Sequence, residues 1–306
     1  MISILIPVKD GGSDLVRCLE AIARQRVDDE VEVVVVDSGS SDGSPDRARA
    51  LGARVHEIAA YEFNHGRTRN LAAELARGDV LVFTTQDAYA ADERWLERLV
   101  APLADPQVAG VYGRQLPHED ARPPERYFLD FLYGPNGRVQ QVLDPSRLTY
   151  EHTLFSNVNS AIPQRIWREF PFAEDLPMSE DQEWSRRVLL AGKTIVYEAR
   201  AAVYHSHRYS IAGAFRRFFD SGATASRTYV GATRSSARAL DRAAVVYARG
   251  ELAWLWRTGR RRWIPYAAVY ETAKLLGLQL GRRHERLPLA LKRRLSTVPS
   301  AWSNDL

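Results

Sequence analysis

The stretch DVLVFTTQDAYA (79–90) carries an apolar run outward to a lone carboxylate, Asp87, with Thr84, Thr85 and Gln86 crowded before it. Three other apolar runs end in polar clusters: PVKD (7–10), DSGSSDGS (37–44) and FNHGRTRN (63–70). Later, MSEDQEWSRR (178–187) sets Glu180 beside Asp181 just ahead of a helical pattern, and HSHRYS (205–210) holds His205 and His207. A positioned carboxylate that takes a hydroxyl proton as a bond forms contributes roughly 10²- to 10⁴-fold to a rate. Acids also settle at helix N-termini for electrostatic reasons alone, so the Glu180–Asp181 pair carries a capping reading beside the chemical one. On an extended segment His205 and His207 face opposite ways, so one of them joins a given site. With no second Cys/His pair nearby, a tetrahedral zinc site is not expected.

Groups so far apart in the chain need a frame that gathers them. Short β-branched runs alternate with helical patterns through the first hundred residues, which predicts an α/β fold with a mostly parallel sheet flanked by helices. Strands are expected at 2–8, 32–39, 53–58 and 80–85, and helices at 14–25, from about Ser44, and at 66–76. In such sheets ligands bind beyond the carboxyl ends of the strands, where the four polar clusters would converge. Each cluster alone is also how an ordinary turn is built. Neither G-x-G-x-x-G nor G-x-x-x-x-G-K-[ST] is present, so the usual phosphate-cradling glycines are lacking. The section from about 113 to 150 reads as a long irregular excursion with helical fragments, and regular structure resumes before a helix over 181–192. After Ser210 the pattern is helical.

The 306 residues suffice for a full core. A single cysteine, Cys18, excludes an internal disulfide and a Cys-rich metal site, and fits a reducing cytoplasm. The N-terminal stretch reads as a first strand rather than a signal peptide. Net charge is uneven: 24 Lys and Arg stand against 32 Asp and Glu up to Ser210, and 18 against 6 beyond it. The basic section, with Trp254, Trp256, Trp263, Tyr266 and Tyr270 among arginines, suits the interface of an anionic membrane. Packing onto the rest of the chain, or pairing in a homodimer, is the alternative of equal standing. No nucleic-acid-binding signature accompanies the charge, so nucleic acid is not expected as a partner.

The segments SILIPVKDGGSDLVRCLEAI, VVVVDSGSSDGS, GRTRNLAAELARGDVLVFTTQDA and MSEDQEWSRRVLLAG, taken in order, resemble the family-2 glycosyltransferases with a GT-A fold, across about residues 2 to 208. FNHGRTRN, TQDA and HSHRYS are further similar to a rhamnosyltransferase-like branch of that family. The resemblance implies a GT-A domain over 1–210 and a basic, aromatic-rich helical region over 211–306. It implies an inverting, metal-dependent transfer of a sugar, L-rhamnose from dTDP-L-rhamnose, onto a hydroxyl of a glycan or lipid-linked glycan. The rival readings are a family-2 enzyme using a UDP-hexose, and a degenerate module that binds the nucleotide sugar without turnover.

By that resemblance Pro7, Asp10, Asp37 and Ser40 line the nucleotide pocket, Asp37 accepting the ring N–H of a pyrimidine. His65, Arg69 and Asn70 lie near the diphosphate or the strand ends. GT-A enzymes usually place D-x-D where this chain has Thr85-Gln86-Asp87, so the acid that holds a divalent cation, Mg²⁺ or Mn²⁺, remains and the first acid is gone. One carboxylate plus diphosphate oxygens and water is an ordinary way to hold Mg²⁺. The missing acid often contacts ribose hydroxyls in the family, which suits a deoxyribose donor. A histidine completes the metal's ligands, His207 before His205. Asp181 is the implied base, with Glu180 orienting the acceptor or raising the base's pKa. Arg114, Asn157, Asn159 and Ser160 line the acceptor side. Trp184 stacks on sugar or, more commonly for such a residue, fills core. The expected location is cytoplasmic, peripheral at the inner face of the cell membrane.

Overall fold

The computed structural model describes residues 1–145, 148, 150–226 and 234–302, leaving aside the side chains of 150, 151 and 234–241. Residues 227–233 and 303–306 of the basic section thus lie outside the described residues.

The β-branched runs form β1 (Ile2–Val8), β2 (Val31–Asp37), β3 (Arg54–Glu57) and β4 (Val80–Thr84), all parallel, in the order β3-β2-β1-β4. Near-continuous Val and Ile runs require cover on both faces. α1 (Gly12–Ala23) packs Leu15, Cys18, Leu19 and Ile22 against Ile2, Ile4 and Ile6 on one face. α3 (His65–Leu75) sets Ala72 and Ala73 against Leu5, Val34 and Phe83 on the other. α2 (Ser44–Ala50), β5 (Tyr89–Ala90) and α4 (Trp95–Val100) complete the first third.

Beyond β4 the sheet continues with β8 (Asn159–Pro163), β6 (Val108–Leu116), β9 (Thr194–Tyr204) and β5, while β7 (Arg138–Gln140) pairs with β9. β8 runs antiparallel to both β4 and β6, and β9 runs parallel to β6. Two reversals restore the original direction. The carboxyl ends of β1, β2, β4, β6 and β9 therefore share one edge with the amino end of β8.

The section from 113 to 150 is more regular than its composition suggests. β6 reaches Leu116, and α5 (Pro123–Leu132) starts at two prolines, where the Glu125 carboxylate accepts the Arg122 N–H at 3.0 Å. Glycines hid the strand. A Cβ at Gly110 would lie 2.8 Å from the Trp184 ring, and one at Gly113 2.1 Å from the Ala201 carbonyl oxygen, so only glycine fits there.

α6 (Gln164–Glu169) and α7 (Glu180–Leu190) precede β9. Then Ser210, whose Oγ accepts the Gly213 N–H at 3.0 Å, caps α8 (Ile211–Ala225). α9 (Arg234–Arg257), α10 (Ile264–Gly281) and α11 (Leu289–Leu295) follow. α8 and α10 touch backbone to backbone: Cβ atoms at Gly277 and Gly281 would fall 2.3 and 2.0 Å from carbonyl oxygens of Phe215 and Phe219. α9 and α10 pack on α5 through a buried Lys274, 2.8 Å from Glu271 and flanked by the rings of Phe128, Tyr247 and Tyr270. Of the aromatics expected at a membrane interface, Trp254, Trp263 and Tyr266 are half-buried. Tyr270 is buried and stacks on Tyr266, whose hydroxyl accepts from Arg122 at 2.7 Å, while Trp256 is left 56% exposed. Among the described residues no helix is long and apolar enough to cross a membrane.

Candidate active site

The shared strand edge gathers Asp87 after β4, Gln115 near the end of β6, and His205 and His207 just past β9. Asp87 Oδ2 lies 3.8 Å from His205 Nε2 and 3.5 Å from His207 Nδ1. Both histidines reach the same acid, contrary to the expectation that they face opposite ways. β9 stops at Tyr204, so the strand alternation no longer governs them, and their rings meet edge to face at 4.5 Å. Burial and the neighbouring imidazole hold His205 down at about 3, and burial lowers His207, so both are neutral and offer lone pairs at neutral pH. Burial opposes ionisation of Asp87, yet the two histidines outweigh it and lower its pKa.

The His205 tautomer follows from its partners. Gln115 Nε2 donates to Ser156 Oγ at 3.0 Å, which turns Gln115 Oε1 toward His205 Nδ1 at 2.9 Å. Nδ1 carries the hydrogen and donates it, leaving Nε2 aimed at Asp87 as an acceptor.

One residue beyond Ser156 begins the second cluster. The Asn157 N–H donates to Asp181 Oδ2 at 3.1 Å, and its side-chain amide donates to Glu180 Oε1 at 3.2 Å. Ser160 Oγ in turn donates to Asn157 Oδ1 at 3.0 Å. Arg69 pairs with Glu180 at 2.9 Å, both under a tenth exposed. This pairing outweighs burial and lowers Glu180, whereas burial and the Glu180 charge push Asp181 up to about 7. Adjacent acids are thus driven apart, one held as a carboxylate and one poised to exchange a proton near neutrality. Burial holds His65, beside Arg69, neutral at about 4. Ser179, ahead of the pair, and Asp10 are the two non-glycine residues with positive φ (61° and 47°) among the described residues, and both border this edge.

Several of the residues expected at the ligand are bonded within the protein. Asp37 is fully buried; its oxygens accept the N–H groups of Gly39 and Ser40 at 2.9 and 2.8 Å and the Ser40 hydroxyl at 2.5 Å, so it shapes the loop that follows β2. Asp10 accepts the Ser41 N–H at 2.8 Å and its own N–H donates to Ser40 Oγ at 2.7 Å, which knits the first two strand-end loops. Gln86 ties in the third loop, exchanging bonds of 2.8 and 3.0 Å with the Lys9 backbone. Thr85 is half-buried and helps hold down the Asp87 carboxyl, and Pro7 sits half-buried at the end of β1. Asn70 spends all its hydrogen-bonding capacity on Trp167, Phe172 and Glu174. Asn159, fully buried, accepts from the Trp95 ring N–H and donates to the Arg114 and Ala201 carbonyls. Trp184 is fully buried against Phe155 and Phe172, a core residue. Arg114 donates to the Tyr133 carbonyl at 3.0 Å and so braces α5.

A scaffold that sets a carboxylate–imidazole cluster beside a proton-poised acid is suited to transferring a group that leaves as an anion. Residues 3–168 match the family described as glycosyl transferase family 2. The chain belongs to that family. It is 33% identical to the O-antigen chain rhamnosyltransferase RfbN of Salmonella typhimurium, over 99% of this chain and 96% of that one. It is 32% identical to the O-antigen chain rhamnosyltransferase WbaN of Salmonella anatum, over 89% and 86%. Among solved structures, a mannosyltransferase of Pyrobaculum calidifontis in complex with GDP-Man and Mn²⁺ superposes with a TM-score of 0.60 at 20% identity, over 91% of this chain and 86% of that one. Staphylococcus aureus TarS 1–349 in complex with UDP superposes at 0.54 with 16% identity, over 93% and 91%. The fold is GT-A with C-terminal helices, and the protein is a rhamnosyltransferase-like glycosyltransferase.

In this family-2 enzyme the three ligand atoms of Asp87, His205 and His207 lie within 4.8 Å of one another, close enough to share one ion. A hard carboxylate with two neutral imidazoles fits Mn²⁺ at least as well as Mg²⁺, which prefers all-oxygen sets. Sequence reasoning missed Arg217. Arg217, on α8, lies near enough to His65, His205 and His207 to depress all three, and stacks at 5.8 Å on Tyr209. One of two adjacent arginines in a helical section rich in arginine gave no signal.

Proposed function

We propose that the enzyme transfers L-rhamnose from dTDP-L-rhamnose to a hydroxyl of a glycan or lipid-linked glycan, with inversion at the anomeric carbon. Residues 1–210 carry the reaction, and 211–306 form the accessory helical region. The reading rests on one observation: the turn at Ser156–Asn157 braces the Asp87–His205–His207 cluster through Gln115 and the Asp181 base directly. Ligand cluster and base are thus set at a fixed spacing. The rhamnosyltransferase names of the two Salmonella relatives support the sugar, and Thr85 in place of an acid leaves no carboxylate for a ribose 2′-hydroxyl.

Asp181 accepts the acceptor hydroxyl's proton as its oxygen attacks, and a group near neutrality both takes and releases that proton readily. Asp87, His205 and His207 would hold Mn²⁺ or Mg²⁺, which supplies charge neutralisation for the departing diphosphate. Arg217 adds a cation on the same side, and Glu180, spent on Arg69, tunes the base rather than touching the acceptor. The test is hydrolysis of a panel of sugar nucleotides with either ion, together with transfer by Asp181→Asn. Cleavage of dTDP-L-rhamnose, and loss of transfer with nucleotide binding retained, is expected. Preference for a UDP-hexose overturns the donor, and normal turnover by the variant overturns the base.

A further inference from the structure

Among the described residues the two long C-terminal helices each leave an apolar stripe exposed. On α9, Tyr247, Glu251 and Leu255 are buried, and the opposite side shows Val245, Val246, Leu252 and Trp256, between 37% and 58% exposed. On α10, Ala267, Tyr270, Lys274 and Gly277 face inward, while Val269, Leu275 and Leu276 are 54%, 44% and 57% exposed. These are helical spacings, so each set forms a stripe rather than scattered surface residues. The turn between them, with Gly259 at φ 74°, stacks the Arg261 guanidinium 3.9 Å over the Trp256 ring.

Charge decides what covers these stripes. Of the section's 18 basic residues, Arg242, Arg249, Arg257, Arg260 and Arg261 are exposed on α9 or the turn after it. Of the acids described on these two helices, Glu251 is buried and Glu271 pairs with Lys274. Among the described residues the outward side therefore combines aliphatic residues, an exposed tryptophan and arginines that no described acid pairs with. A second copy of the same face would bring arginines against arginines. A nucleic acid would answer the charge and waste the aliphatic stripe.

We propose that the outward faces of α9 and α10 seat the enzyme on an anionic lipid bilayer, the stripe entering the headgroup boundary and the arginines meeting lipid phosphates. The docking holds whichever sugar is moved. The test is flotation of the full-length enzyme with vesicles of phosphatidylcholine alone, or of phosphatidylcholine and phosphatidylglycerol in equal parts. Binding to the mixed vesicles, weakened by salt, is expected. The double variant Val246→Glu, Leu276→Glu should lower it by about tenfold or more, and Arg249→Glu should lower it while binding still depends on phosphatidylglycerol. Donor hydrolysis, read in parallel, should stay unchanged in all variants because these side chains lie outside the catalytic cluster. Binding indifferent to phosphatidylglycerol overturns the proposal. So does a dimer in sedimentation that the double variant splits while vesicles are ignored, or retention on duplex DNA that the double variant leaves intact.

Discussion

Replacing Glu180 by glutamine isolates what sets the base. Asp181 stands at about 7 because burial disfavours its charge and because ionised Glu180 lies beside it, Arg69 opposing both. Carboxylates on the order of 6 Å apart, at an effective dielectric of about 20, repel by roughly 2–3 kcal/mol, or about two pKa units. The sign is unambiguous: removing the neighbour's charge eases ionisation, and the newly unpaired Arg69 pulls the same way. Glu180→Gln should therefore bring Asp181 from about 7 to about 5. The assay is the pH dependence of kcat/KM for donor hydrolysis, in which water takes the acceptor's place and the same base deprotonates it. Wild type should fall about tenfold from pH 8 to pH 6, since only about a tenth of a base at 7 is ionised at pH 6. The variant should hold nearly its whole plateau there and decline only below about pH 5. Because an unpaired buried guanidinium costs about 3–5 kcal/mol of stability, the double variant Arg69→Met, Glu180→Gln serves as the companion; it removes both charges and should give an intermediate limb. An acid limb that stays near 7 in both variants would mean that Asp181 is not the titrating base.

The raised pKa also predicts a stability profile: ionising Asp181 costs folding energy progressively from about pH 4 to 7, up to about 4 kcal/mol at most, so Asp181→Asn should gain on wild type in urea melts as pH rises from 4 to 8. Asp87→Ala should abolish Mn²⁺-dependent tightening of nucleotide binding in calorimetry, leaving the metal-free affinity in place. Gln115→Leu frees His205 to rotate and change tautomer, and should weaken Mn²⁺ binding about 10- to 100-fold with the fold intact by circular dichroism. Trp184→Ala should cost about 3–5 kcal/mol of stability; a loss of acceptor affinity at unchanged stability would return Trp184 to the sugar site.

Periodicity and the turn chemistry at strand ends made the first half of the sheet legible, since β1, β2 and β4 are uninterrupted β-branched runs that must be covered on both faces. β6 escaped because its glycines answer to Trp184 and Ala201, residues more than 70 positions later. The candidate site divides in the same way. Asp87, Asp181 and the two histidines were recognisable by type and order, as charged groups at element ends tend to be. Which polar neighbours brace the loops was not, because the partners of Asp37, Asn70, Gln86 and Asn159 appear only once the chain has folded. Asn159 shows why: one buried side chain closes onto Trp95, Arg114 and Ala201, three distant segments that only the fold brings together. The same long-range bonding makes the site rigid. A loop of Asn and Ser left to itself would let the Asp87 cluster and Asp181 drift apart. Here Gln115 and Asn157, both buried, join them beside the reversed strand β8, and the spacing that the proposed in-line displacement requires becomes a property of the sheet.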